Sequence, residues 1–158
     1  MAGGKLHNVV VRNERVSKEL IKGRCLPQSN YATTFIPLNL IDRRTIPEDA
    51  VNRIKHLTKG KARLAKELVE FDAELEPAVN FVFGTTFVTD DEETAKKVAF
   101  GNDMQRFNCV TVKGDKYNSG GTLEGGFKQQ RDTLLNVRKY KELNTKATQA
   151  AESLRKVN

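Results

Sequence analysis

Apolar residues alternate between two spacings along the chain. Leu6 to Val11 is rich in β-branched residues and predicts a strand. Asn13 is placed to cap a helix running to Lys22, which Gly23 stops. Thr33 to Leu38 predicts a second strand, with Pro37 confining it to an edge or to its own end. Pro47 then stands where a first helical turn tolerates proline, and Ala50, Val51, Ile54 and Leu57 follow at helical spacing. A β-α-β-α series therefore fills residues 1–57.

The polar, glycine-containing stretch around Thr58, Lys59, Gly60 and Lys61 has little to bury, so residues 58–62 read as a linker between two lobes. Beyond it the pattern restarts. Leu68 to Phe71 reads as extended, and Leu75, Ala78, Val79 and Val82 place an apolar stripe on a helix that Gly84 ends. Thr85 to Val88 is strand-like. Asp90 to Glu93 open the next helix, at whose N-terminus negative charge is favourable, and Ala95, Val98 and Ala99 form its buried face. Phe107 to Val112 predicts another strand, and a glycine-rich stretch carries this second lobe to residue 127.

From Gln129 to Val157 there is neither glycine nor proline. Tyr140, Leu143, Ala147, Ala150, Leu154 and Val157 recur at spacings of three and four, which is both the seam of a short coiled coil and the stripe of an ordinary amphipathic helix. The expected fold class is thus α/β in the α+β sense: two small mixed lobes in tandem, then a long helix over residues 128–158.

Charge changes this picture. The chain carries 27 basic and 20 acidic residues, a net +7, and the charges are segregated. Residues 42–66 and 128–158 are each strongly basic, whereas Glu67 to Glu93 holds nine acidic residues and no basic one. A polyanion is expected on the basic segments and not on the acidic middle. Cys25 and Cys109 lack metal-ligand spacing, and His7 and His56 stand alone, so neither a disulfide framework nor a zinc site is read. No apolar run has the length of a membrane span or of a signal-peptide core, and an intracellular, soluble protein without a membrane partner is expected.

Between Val110 and Gly126 lie five of the eleven glycines. Such density implies backbone conformations or contacts that a Cβ would obstruct. Phosphate binding is one reading, but the chain has no Gly-x-x-x-x-Gly-Lys-Ser/Thr loop, and Glu124 would repel a phosphate. Tight turns between the last strand and the last helix are a second. Backbone pairing with another chain at a sheet edge is a third. The residues alone leave the last two open.

Several linked motifs resemble the hinge domain of structural maintenance of chromosomes (SMC) proteins. Residues 76–88 (Glu-Pro-Ala-Val-Asn-Phe-Val-Phe-Gly-Thr-Thr-Phe-Val), Ala95 to Phe100, and the Val-Thr-Val-Lys-Gly-Asp run at 110–115 with Gly121, Gly125 and Gly126 are similar to its second half. Ala2 to Val11 and Phe35 to Leu38 are similar to parts of its first half. The run Phe81 to Val88 is similar to the hinge of the condensin SMC subunit conventionally numbered second, more than to cohesin or bacterial hinges.

The resemblance implies a dimerisation module in which each subdomain of one chain meets the opposite subdomain of another, in a ring. It places Gly114, Gly121, Gly125 and Gly126 at that junction, with the hinge of the other condensin SMC subunit as heterodimeric partner. It also implies DNA contact through basic patches, for which Lys128, Arg131, Arg138, Lys139 and Lys141 are the candidates, by sequence-independent phosphate contacts. Tyr117 and Phe127 either stack on bases or pack against the glycine turns. Chromosomes in the nucleus, and the cytoplasm outside mitosis, are the implied locations. No catalytic activity and no cofactor are implied, since the family's ATP-binding motif is absent from this sequence.

Three departures qualify the match: Gly120 stands where that pattern carries histidine, Glu124 where it often carries serine, and the first subdomain is expected to be incomplete at its start. A stand-alone basic nucleic-acid-binding module without an obligatory partner is the alternative reading.

Overall fold

A computed structural model describes residues 3–23, 32–42, 44–101, 105–125 and 133–157. Residues 1–125 form one compact unit and residues 126–158 a second.

The first unit begins with a 3-10 turn, Gly3–His7, so the expected strand shortens to β1, Val9–Val11. Asn13 caps α1, Glu14–Lys22: its side-chain oxygen accepts from the Arg15 and Val16 N–H groups at 3.1 and 3.2 Å, satisfying donors that the first turn leaves free. Strand β2, Phe35–Pro37, pairs with β1 in parallel, Val10 opposite Ile36. Val11 and Ile36 are the buried side chains of this small sheet.

The chain continues through α2 (Glu48–Leu57), β3 (Ala62–Leu64), α3 (Glu76–Phe83), β4 (Thr86–Thr89), α4 (Glu92–Phe100), β5 (Asn108–Thr111), β6 (Lys116–Tyr117) and β7 (Leu123–Glu124). Strands β3 to β7 form one sheet in sequence order. Only β4 and β5 are parallel, because α4 crosses over between them; the other neighbours are antiparallel. Directly opposed residues share a face. One row therefore runs Leu64, Phe87, Cys109, Tyr117, Leu123 across all five strands. The first four are buried in a core completed by Val51 and Ile54 of α2 and by Ala95, Val98 and Ala99 of α4. At roughly 25 cal/mol per Å² of apolar area, this cluster is the main stabilising term of the unit.

The linker expected at residues 58–62 is instead a closed turn, and α2 packs with the five-stranded sheet rather than with the β1–β2 lobe. Thr58 is only 7% exposed. Its hydroxyl donates to the Ile54 carbonyl at 2.8 Å and accepts from the Ala62 N–H at 3.2 Å, so a segment that is polar in sequence spends its polarity internally. Gly60 takes a left-handed φ of 79° and donates to the Lys55 carbonyl, ending α2. Of the extended piece expected at Leu68 to Phe71, Leu68 ends a 3-10 turn, Ala65–Leu68, and Val69 is extended, while the paired strand, β3, lies earlier.

Residues 44–46, between β2 and α2, run beside the end of α3. The Ile46 N–H donates to the Gly84 carbonyl at 3.1 Å. A Cβ on Gly84 would stand 2.5 Å from the Asn80 carbonyl oxygen and 3.0 Å from that of Arg44, both backbone atoms. Gly84→Ala is accordingly expected to lower stability by about 1–3 kcal/mol through overpacking, measured as a reduced midpoint of urea unfolding with unchanged slope.

Asp91 caps α4, accepting from the Thr94 N–H at 2.7 Å. That bond first, then the Thr94 hydroxyl and the Lys61 ammonium at 3.1 Å, holds its carboxyl down at about 2, against an ordinary 3.8. A depressed folded-state pKa means that the unfolded chain binds more protons in this interval, so the stabilisation is present at neutral pH and lost as pH falls through it. Asp91→Ala should lower stability at pH 7 and flatten its dependence on pH between 3.8 and about 2, read from chemical denaturation at stepped pH.

Candidate functional site

The glycine-rich stretch is built as two hairpin turns in succession. In the first, Gly114 has φ 99°, its N–H donates to the Thr111 carbonyl at 2.9 Å, and the Thr111 hydroxyl accepts from the Asp115 N–H at 3.2 Å. In the second, Gly121 has φ 95° and donates to the Asn118 carbonyl at 2.9 Å, while the Asn118 amide group donates to the Thr122 hydroxyl at 2.8 Å. Both positions require the left-handed backbone that glycine supplies without strain. Gly125 differs: a Cβ there would stand 2.9 Å from Asp115 Oδ1. Gly126 lies outside the described residues.

Two side chains hold these turns to the sheet. Tyr117 on β6 is 2% exposed and its ring centroid lies 5.9 Å from that of Phe100 on α4. Burial, then the nearby Glu92 charge, raises the Tyr117 pKa. Asn108 Oδ1, on β5, accepts from both the N–H and the hydroxyl of Ser119, at 2.9 and 3.1 Å. No local pattern marks the Asn108 contact, which joins residues eleven apart. Tyr117 is buried with its ring against Phe100, so it presents no open face for a base.

What these supports present is the edge strand β7. Among the described residues its only strand partner is β6. Asn118 donates to the Thr122 carbonyl, so by antiparallel alternation Thr122 and Glu124 bond toward β6 and the N–H and C=O of Leu123 face outward. The Leu123 side chain continues the buried row of the sheet yet is 55% exposed, because the row runs past the helical cover. Beside it Glu124 pairs with Lys116 at 3.2 Å, and Val112 in the first turn is also exposed. An open edge with an uncovered apolar side chain is suited to receiving a strand.

The second unit is described by helix α5, Thr133–Val157. Arg138, Lys139 and Lys141 are exposed on it, Arg138 pairing with Glu142 at 3.2 Å. The seam residues Tyr140, Leu143, Ala147 and Ala150 are exposed too. Lys128, Arg131 and Phe127 lie outside the described residues.

Among the described residues no group of His, Cys, Asp and Glu side chains is arranged to hold a metal ion. Cys109 is buried, which pushes its thiol up to about 12 and keeps it from acting as a nucleophile. Around the glycine-rich stretch, among the described residues, Tyr117 and Cys109 are buried and Asn108 and Ser119 bond each other, while the β7 edge is left open.

Comparison with known proteins agrees with that geometry. The pattern of the SMC proteins' flexible hinge domain matches residues 1–99. The chain is 38% identical over 136 residues to Structural maintenance of chromosomes protein 2 of Dictyostelium discoideum, covering 85% of this chain and 11% of that protein. It is 40% identical over 144 residues to the protein of the same name from Homo sapiens, covering 90% and 12%. The chain therefore spans about a tenth of the length of these relatives. Among solved structures, an SMC hinge domain of Geobacillus stearothermophilus, crystallised as an asymmetric dimer, superposes with a TM-score of 0.68 at 26% identity, over 96% of this chain and 60% of that one. The Pyrococcus furiosus SMC hinge domain gives 0.58 at 27% identity, over 82% and 62%. A five-stranded lobe with an open last strand, a smaller lobe before it and this set of relatives lead to one assignment: the chain belongs to the flexible hinge domain family of SMC proteins.

Proposed function

We propose that this hinge is a dimerisation module of a condensin-type complex, pairing with the hinge of another SMC subunit as a heterodimer that serves chromosome condensation and segregation in the nucleus. The observation that carries the proposal is the open edge of β7, whose Leu123 N–H and C=O face outward beside an uncovered Leu123 side chain. A dimer of the Geobacillus hinge supports it by analogy. Gly114 and Gly121 act indirectly, by folding the turns that present the strand, whereas Gly125 keeps the strand end narrow; Gly126 is taken with it. A strand of two residues offers few backbone bonds, so tight association requires a second junction in the same ring, which raises the effective concentration at the first. The helix α5 is the start of the coiled-coil arm, and Arg138, Lys139 and Lys141, with Lys128 and Arg131, contact DNA phosphates without reading sequence.

Leu123→Pro isolates the edge. Proline removes an outward-facing N–H and leaves the bonds to β6 in place, which is where a strand tolerates it. The expected result is an unchanged circular dichroism spectrum and an association with a partner condensin hinge weakened about tenfold or more, by sedimentation. Absence of any complex with the intact chain, or a complex indifferent to Leu123→Pro, overturns edge pairing.

For DNA, replacing Lys139 and Lys141 with glutamine should weaken binding equally for unrelated sequences, and reduce the slope of log affinity against log salt by about 0.9 per charge removed. Fluorescence anisotropy over a salt series measures this. Affinity that does not change on adding the partner hinge would favour a stand-alone nucleic-acid-binding module instead.

A further inference from the structure

A groove of about 520 Å³ beside α4 is strongly acidic but holds no unpartnered buried group. A second, of about 350 Å³, lies between α2 and α3 and has a different composition. Its apolar wall is made by Ile46, Val51 and Leu64. Three carboxylates and two ammonium groups line it, and the ammoniums are already committed: Lys55 to Glu67 at 2.8 Å and Lys66 to Glu76 at 2.9 Å. Three minus two leaves one negative charge, that of Glu48, which makes no ion pair among the described residues.

Asn80 of α3 also lines this groove. It is 8% exposed, and its Oδ1 is sealed from solvent with no hydrogen-bond partner among the described residues. A buried acceptor without a donor costs free energy that a delivered donor recovers. The terminal torsion of asparagine is soft, so a small rotation turns the oxygen to an arriving group.

We infer that this groove binds an arginine side chain carried by a polypeptide segment of a partner protein. The guanidinium supplies several N–H donors in one plane, enough for the Asn80 oxygen and for the Glu48 carboxylate, and its alkyl stem is matched to the wall formed by Ile46, Val51 and Leu64. A lysine ammonium is more strongly hydrated and loses more on entering. Leu64 belongs to β3, at the opposite end of the sheet order from β7, so an occupied groove leaves the β7 edge uncovered.

The test is a titration of the isotope-labelled chain with an acetyl-Gly-Arg-Gly-amide peptide, following the Asn80 side-chain amide resonance by nuclear magnetic resonance. Matched peptides carrying lysine or the neutral isostere citrulline serve as probes of charge and shape. The inference expects a saturable shift with arginine, a weaker one with lysine and none with citrulline. Glu48→Gln, an exposed substitution, should weaken the arginine response about two- to fivefold, while Leu123→Pro leaves it unchanged. No saturable shift at Asn80 with arginine, an equal response to citrulline, or indifference to Glu48→Gln each overturns it, whatever becomes of pairing at β7.

Discussion

Burial of Tyr117 is the contact on which the outer half of the sheet depends. Strands β6 and β7 have two residues each, too few to hold a position by ladder bonds alone. Tyr117 inserts against Phe100 on α4, so the helix that crosses from β4 to β5 also secures β6. Ser119 hooked onto Asn108 fixes the next turn to β5. With those points fixed, the direction of β7 follows, and so does the outward aim of the Leu123 backbone. The edge is thus set by core packing at some distance from it, and the glycines act by permitting the turns between the two anchors.

A comparable dependence joins the two lobes. Gly84 ends α3 and lets the chain from the first lobe cross with its backbone against the helix end. A second tie is the Lys5 ammonium, 4.5 Å from the centre of the Phe81 ring one turn earlier on α3. Helix α3 therefore takes contacts from both lobes, while α2, though it follows the crossing directly, has its apolar face in the second lobe's core. Helix α2 thus packs with the five-stranded sheet, and the polar stretch at Thr58 is an internal turn.

Much of this was legible in sequence because local chemistry decided it. Asn13 caps a helix as its position suggested, the acidic run from Asp90 opens α4, and the helical spacing of Val51 and Ile54, and of Ala95, Val98 and Ala99, is the spacing of their buried faces. What stayed hidden was decided by partners distant along the chain. Strand β3 is three residues in a basic, polar neighbourhood, and only its pairing with β4 makes it a strand. Strands β6 and β7 sit among glycines, where turn propensity masks a pair of two-residue ladders. Pairing and turns, the two readings of the glycine stretch that the residues left open, are both compatible with this geometry: Gly114 and Gly121 make turns, and what the turns present is an edge.

Cys109 occupies the middle of the cross-strand row, 1% exposed between Phe87 and Tyr117. Only a thiolate reacts with alkylating reagents, and this thiol is both covered and held protonated at neutral pH. Its modification therefore waits on separation of the sheet from α4. The cysteine is a built-in clock for the opening of the second lobe: its labelling rate, followed separately from that of Cys25, reports how often the platform beneath β7 comes apart.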